Sequence, residues 1–265
     1  MKFATILCLA STLAAGSARA ADAVPATPEA AAFAKQYQSY DEGLRQKYLQ
    51  IVETNKDAII EVEIVWKMKI SYQGQQQEQE QKVRLNATVI SEKGVIVMSL
   101  SNTDPAQMAQ VGGIPANMRN QVKIESDVQD VKIITNDGRE IPAKVALKDT
   151  DLDIMYIMPK EAGKEKLPFI KLAKGSKIEV MKSCLSFTRH NQSVGRAIVY
   201  SMGYVAGEIK TPRRCFMAQA PAPAMPAFNE DGEGLGLFLR PSGLPGLMLV
   251  PAKDILSSME QLEDN

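Results

Sequence analysis

Val131-Lys-Ile-Ile-Thr-Asn-Asp-Gly-Arg-Glu-Ile-Pro-Ala-Lys-Val-Ala-Leu-Lys-Asp-Thr-Asp-Leu-Asp-Ile-Met-Tyr-Ile-Met-Pro159 is the stretch on which the fold turns, and it reads as three strands. Val131, Ile133 and Thr135 alternate with Lys132 and Ile134, the period of a pleated strand. Asn136-Asp137-Gly138 then supplies residues that tolerate positive φ, which a tight hairpin requires. The return strand is Glu140 to Lys148, Asp149-Thr150-Asp151 makes a second turn, and Ile154 to Met158 is an apolar run too short for a helix.

Upstream, Ile60, Val62, Ile64, Trp66, Met68 and Ile70 alternate with polar residues and predict a half-buried strand. The Gln/Glu-rich run from Gly74 to Gln81 reads as a solvated polar loop, Val83 to Val89 as the returning strand, and Val95 to Leu100 as the third. With Val122–Ile134, Glu140–Lys148 and Asp153–Met158 this makes a six-stranded antiparallel set over 59–159, interrupted at Ser101–Asn120 by a Pro/Gly-rich insertion.

At the N-terminus, Met-Lys, an apolar run from Phe3 to Gly16 and Ala18-Arg19-Ala20 form a signal peptide, residues 1–20. This predicts a secreted or periplasmic protein with no membrane span. Removing Lys2 and Arg19 leaves 29 basic against 31 acidic residues, a balance that argues against nucleic acid as a partner. Residues 21–58 comprise a flexible Ala/Pro segment and a helix opened by Pro28, on which Phe33, Tyr37, Tyr40, Leu44, Tyr48 and Ile51 lay an apolar stripe. That stripe packs either on its own barrel or on another copy as an oligomer contact.

Residues 160–167 are a charged linker, and 168–265 show five further strands and a helix started by Pro251. Cys184 and Cys215 are left after the leader, either as a disulfide or as buried thiols. With His190 as the one histidine, no metal site of ordinary zinc stoichiometry assembles, and no cofactor is expected.

The strand, Asp-Gly turn, strand, Asp-x-x-x-Asp-Ile, strand pattern of 131–159 resembles the HtrA (DegP-like) trypsin-fold serine proteases. So does Leu167-Pro168 leading into the second half. The resemblance implies an all-β fold of two antiparallel β-barrels with an N-terminal helix and a short C-terminal helix. It also implies an active-site aspartate at Asp153. Where that family has Gly-Tyr-Ile-Leu-Thr-Asn-x-His, this chain has Gly94 to Ser101, which puts Ser101 at the histidine position. Where the family has Gly-Asn-Ser-Gly-Gly-Pro-Leu, Gly232 to Phe238 puts Gly234 at the nucleophile position. A hydroxyl is no base near neutral pH and a glycine cannot be acylated.

The expectation is therefore an inactive protease homologue, a scaffold for a protein or peptide. The binding surface would comprise Gly232, Gly236 and an exposed proline-rich loop carrying Met225 and Phe228. The alternative is an active serine endopeptidase with displaced residues, for which only His190 and the Ser242-Gly243-Leu244-Pro245 turn are available.

Overall fold

A computed structural model describes residues 28–72, 74–109, 121–161 and 163–262, with side chains from Glu42 onward. The leader, the Ala/Pro segment and residues 110–120 of the insertion lie outside the described residues. Helix α1 (Pro28–Asn55) begins in one compact unit, Met1–Glu42, and ends in the other, Gly43–Asn265. Within the second unit it buries Tyr48 and Val52, with Leu44 and Ile51 packed at the margin. The side chains of Phe33, Tyr37 and Tyr40 are not among those described.

β1 (Ile59–Tyr72), β2 (Gln75–Val89), β3 (Ile96–Ser99), β4 (Val122–Ile134), β5 (Glu140–Asp149) and β6 (Ile154–Pro159) close an antiparallel barrel in the order β1-β2-β3-β6-β5-β4. Its interior takes every second residue of β1, from Ile60 to Met68, against Val89, Ile96, Met98, Ile133, Met155 and Ile157. Each such side chain contributes about 1.5–3 kcal/mol by leaving water. The β4–β5 hairpin is the one the Asn-Asp-Gly triplet predicts: Thr135 and Arg139 bond across it at 3.0 Å and Gly138 takes φ 87.

One expectation fails here. The Gln/Glu-rich run is strand rather than loop, because β2 matches β1 residue for residue from Tyr72↔Gln75 to Ile59↔Thr88. A 14-residue strand next to it supplies a backbone ladder that polar side chains do not prevent.

The second half contains β7 (Ser183–Arg189), β8 (Ile198–Tyr204), β9 (Gly207–Ile209), β10 (Cys215–Met217), β11 (Pro226–Phe228), β12 (Gly234–Leu239) and β13 (Met248–Pro251), followed by α3 (Ala252–Glu260). Their order is β8-β7-β11-β12-β13-β10-β9, a curled half-barrel. β8 and β9 are two pieces of one path interrupted at Val205-Ala206, with β8 pairing β7 and β9 pairing β10. Counted as one strand, they give this half the neighbours of the first: first beside second, second beside third, third beside sixth, sixth beside fifth, fifth beside fourth, fourth beside first. The same strand order twice in succession is a trypsin-like arrangement.

Cys184 and Cys215 are free and buried. They belong to different apolar clusters, Cys184 with Phe216 and Phe238, Cys215 with Leu185 and Phe187, so the sheet separates them. Burial pushes the Cys184 thiol up to about 12 and the Cys215 thiol to about 11, the latter with help from the charge of Asp254. Since the thiolate is the nucleophile, native protein is expected to resist iodoacetamide, and unreduced but denatured protein to take up two labels by mass spectrometry. A mass without labels would mean a bridge. Raised folded-state values also mean that stability is complete below the ordinary thiol pKa and falls as pH rises above it, when unfolded thiols ionise and folded ones do not.

Candidate functional site

The antiparallel pairing of β3 with β6 sets Ser99 opposite Ile154, so the residues that follow Ser99 meet the residue that precedes Ile154. Leu100 N–H donates to the Asp153 carbonyl at 3.0 Å. The Asp153 carboxylate, 3% exposed, receives Ser101 N–H on Oδ1 at 2.6 Å and the Ser99 hydroxyl on Oδ2 at 2.7 Å. Ser99 and Ser101 hydroxyls lie 3.5 Å apart. A third donor comes from the second half, where Arg240 N–H, just beyond β12, reaches Oδ2 at 3.1 Å. Asp153 sits at φ 63, a left-handed conformation that aspartate tolerates better than most residues.

The structure thus brings Ser101 and Asp153 together, and adds Ser99 and Arg240, which motif comparison does not reveal. The signal for Ser99 is its place two residues before Ser101. For Arg240 there is none, because its contribution is a backbone N–H that any residue but proline provides.

Gly234 is not part of this cluster. It opens β12 beside Phe228 and Leu172, whereas Arg240 follows the strand's other end. At about 3.3 Å per residue the two are roughly 20 Å apart. The second-half segment that runs beside the Arg240 end is Ala220 to Met225: Ala224 N–H donates to Phe238 O at 2.6 Å and Phe238 N–H to Met225 O at 2.9 Å. The Thr88 hydroxyl of the first barrel also donates to Ala224 O, at 2.6 Å. Ala220-Pro221-Ala222-Pro223-Ala224-Met225 holds no hydroxyl, thiol or imidazole.

Met225 and Phe228 are not an exposed binding surface. They are 0% and 1% exposed, and the Phe228 ring stacks on Phe187 with centroids 5.9 Å apart. The loop that carries them is drawn into the junction between the halves because its residues are alanine, proline and methionine, with no charge to keep in water. Gly232 turns at φ 80 against Ile51 of α1, and Gly236 is pressed against the Val250 carbonyl. Gly232 serves the positive φ of its turn, and Gly236 the close approach of β13 backbone.

His190 is exposed in the β7–β8 hairpin, where its N–H bonds Ala197 O at 2.8 Å. Ser242 is exposed and its N–H bonds Asp151 O at 3.0 Å. No described contact joins the two residues. Five surface cavities of about 210–590 Å³ have none of Ser99, Ser101 and Asp153 in their walls, as the burial of Asp153 requires. Among the described residues no group of three or more His, Cys, Asp or Glu could hold a metal ion.

Beside the cluster, Asp104 caps the short helix α2 (Pro105–Met108) through Ala106 N–H at 3.0 Å and pairs with Lys148 Nζ at 2.8 Å. Lys148 lies over the Trp66 ring, 4.8 Å from its centroid. The Ser126 hydroxyl donates to the other carboxylate oxygen of Asp104, Oδ1, so the set is an ion pair that ties α2 to β4 and β5.

No protein-family model matches the chain, and no curated protein matches it.

Proposed function

We propose that this protein is an exported homologue of the HtrA-type proteases that has lost the catalytic histidine and serine and works as a non-hydrolytic scaffold for protein. The observation that carries the proposal is the state of the Asp153 carboxylate. In a triad that group orients an imidazole and stabilises its charged form. Here its acceptor positions are taken by Ser101 N–H, the Ser99 hydroxyl and Arg240 N–H, and the position of the base is a serine. A hydroxyl beside Asp153 would keep its proton, and the neighbouring segment Ala220–Met225 offers no nucleophile.

For the ligand class, the support is the exposed apolar row on one face of β8. Tyr200, Met202 and Tyr204 are 48%, 56% and 63% exposed and stand on one face at every second residue. Their cross-strand partners include Phe187 and Leu185, so an apolar face that is buried on β7 continues uncovered on β8. Apolar side chains of this size in a row favour unfolded or extended polypeptide over small polar ligands.

One experiment addresses both halves of the reading. Unfolded, fluorescently labelled casein is expected to bind, to lose at least about tenfold in affinity when Tyr200, Met202 and Tyr204 are all changed to serine, and to remain uncleaved. A fluorophosphonate probe is expected to leave the protein unlabelled. The Ser101→His/Gly234→Ser variant should stay inert, because the new hydroxyl stands at the far end of β12 from the new imidazole. Cleavage or labelling that disappears in His190→Ala or Ser242→Ala would establish the displaced-residue endopeptidase instead.

A further inference from the structure

β1 is longer than the barrel needs. β3 bonds β2 only at Thr88↔Val97 and Val89↔Ile96, and β5 bonds β4 only from Lys132 to Ile134. Beyond those points β2, β1 and β4 run on together as a three-stranded sheet out to Tyr72, which faces Gln75 on one side and Val122 on the other. Among the described residues, β2 from Gln75 to Ala87 therefore has β1 on one side and no strand on the other. An edge of this kind presents a row of unpaired N–H and C=O groups, and its usual protection is charge placed to oppose pairing.

On β2 the charges do the reverse. They are ordered Glu78, Glu80, Lys82, Arg84, all on one face, acids before bases about Gln81. When a strand pairs antiparallel with its own copy, each register is fixed by the residue on the two-fold axis. With Gln81 on the axis, Glu78 faces the second copy's Arg84 and Glu80 faces its Lys82, and symmetry repeats both pairs. Moving the axis to Glu80 opposes Glu80 to itself, and moving it to Lys82 opposes Lys82 to itself. Like charges directly opposite one another destabilise a pair of strands. A slip of one residue in the pairing sets the charged face of one copy against the Gln/Val/Leu face of the other, which offers its charges no partners of opposite sign. One register is left.

The observed pairing inside the chain extends the same pattern. Across the sheet Lys132 faces Glu63, which faces Arg84; further out, Glu125 faces Lys69, which faces Glu78. Joining Arg84 to the second copy's Glu78 gives an unbroken alternation of sign across six strands, Lys132, Glu63, Arg84, then Glu78, Lys69 and Glu125 of the second copy. On the opposite face the axis sets Gln81 against Gln81, Gln79 against Val83 and Gln77 against Leu85. The other open edge behaves differently. β4 carries Glu125, Asp127 and Asp130 with Lys123, so long self-registers oppose acid to acid.

We infer that the β2 edge is a homodimer interface: two copies pair antiparallel through residues 77–85 with Gln81 on the two-fold axis, forming one continuous six-stranded sheet β4-β1-β2-β2-β1-β4. The occupant of the edge is a second copy of this chain because the charge order matches the strand to itself.

The test is charge exchange. By sedimentation equilibrium the purified protein is expected to be a dimer. Glu78→Lys/Glu80→Lys places only cations along the edge and Lys82→Glu/Arg84→Glu only anions, so each variant alone should dimerise about tenfold more weakly, summed over the four opposed cross-strand pairs. Mixed, the two variants should form a one-to-one heterodimer, because every opposed pair is complementary again. That recovery also shows that both variants are folded. Under mild oxidation Gln81→Cys should cross-link two chains, while Gln77→Cys, whose two copies lie eight residues out of register, should not. A monomeric wild-type protein, a dimer indifferent to the reversals, or a mixture without heterodimer would overturn the inference.

Discussion

Asp153→Ala is expected to lower the stability of the protein by about 4 kcal/mol in urea unfolding, close to half of what a domain of ordinary stability has. The carboxylate is buried and receives three hydrogen bonds, two of them from backbone N–H groups that have to be paired somewhere. Charged hydrogen bonds contribute about 1.5–3 kcal/mol each, and a buried donor left alone costs about 1–3 kcal/mol. The substitution also leaves alanine at φ 63, where aspartate is better tolerated. Asp153→Asn should cost about 2 kcal/mol. Its oxygen can still accept from Ser101 N–H, but its NH2 then points at Arg240 N–H, donor against donor. Because Ser101 belongs to the first barrel and Arg240 to the second half, hydrogen exchange should show both amides losing protection in Asp153→Ala. Wild-type stability in Asp153→Ala would mean that the carboxylate is dispensable as a clamp, and would reopen the question of what it is held for.

A clamp of this kind is half visible in the sequence. Asp153 and Ser101 come from positions just beyond strands whose residues are distinctive, and the hairpin at 136–138 fixes where Asp153 must fall before β6. The first barrel was legible because its strands alternate and their turns carry Asn, Asp and Gly. The second half was less so. β9 is three residues long and half exposed, so it leaves no periodic signal. β11 is Pro-Ala-Phe, a composition that reads as loop and forms strand only because β7 and β12 lie on either side of it. Reading that segment as an exposed loop is also what placed Met225 and Phe228 on the surface, whereas the structure buries both. The Gln/Glu run of β2 failed for a related reason: it has no apolar face of its own and takes its conformation from the ladder of β1.

Gly236→Ala is expected to be more damaging still, by about 4 kcal/mol or more, because it asks the backbone itself to move. A Cβ built on Gly236 lies 1.9 Å from the Val250 carbonyl oxygen and 2.9 Å from its carbon, against a floor near 3.0 Å for real Cβ contacts. The oxygen would have to retreat by about 1 Å. It belongs to β13, paired to β12 through Leu237↔Val250 and Gly236↔Pro251, and Pro251 leads directly into α3. On the other side of β12 the pairing with β11 is already irregular, between Ala227 and Phe228, so β12 has no regular ladder there on which to shift. The displacement therefore propagates into Leu237, Val250 and Ile255, each fully buried in the cluster that joins the two halves, and that cluster includes Tyr156, whose hydroxyl bonds Ile255 O at 2.9 Å. Gly175→Ala, at a glycine with no atom within 4 Å of the added carbon, is the control for loss of glycine alone and should change stability by less than about 1 kcal/mol. Urea unfolding followed by near-ultraviolet circular dichroism will separate the two. If Gly236→Ala unfolds at the wild-type denaturant concentration, β12 and β13 are not packed as closely as the 1.9 Å approach requires.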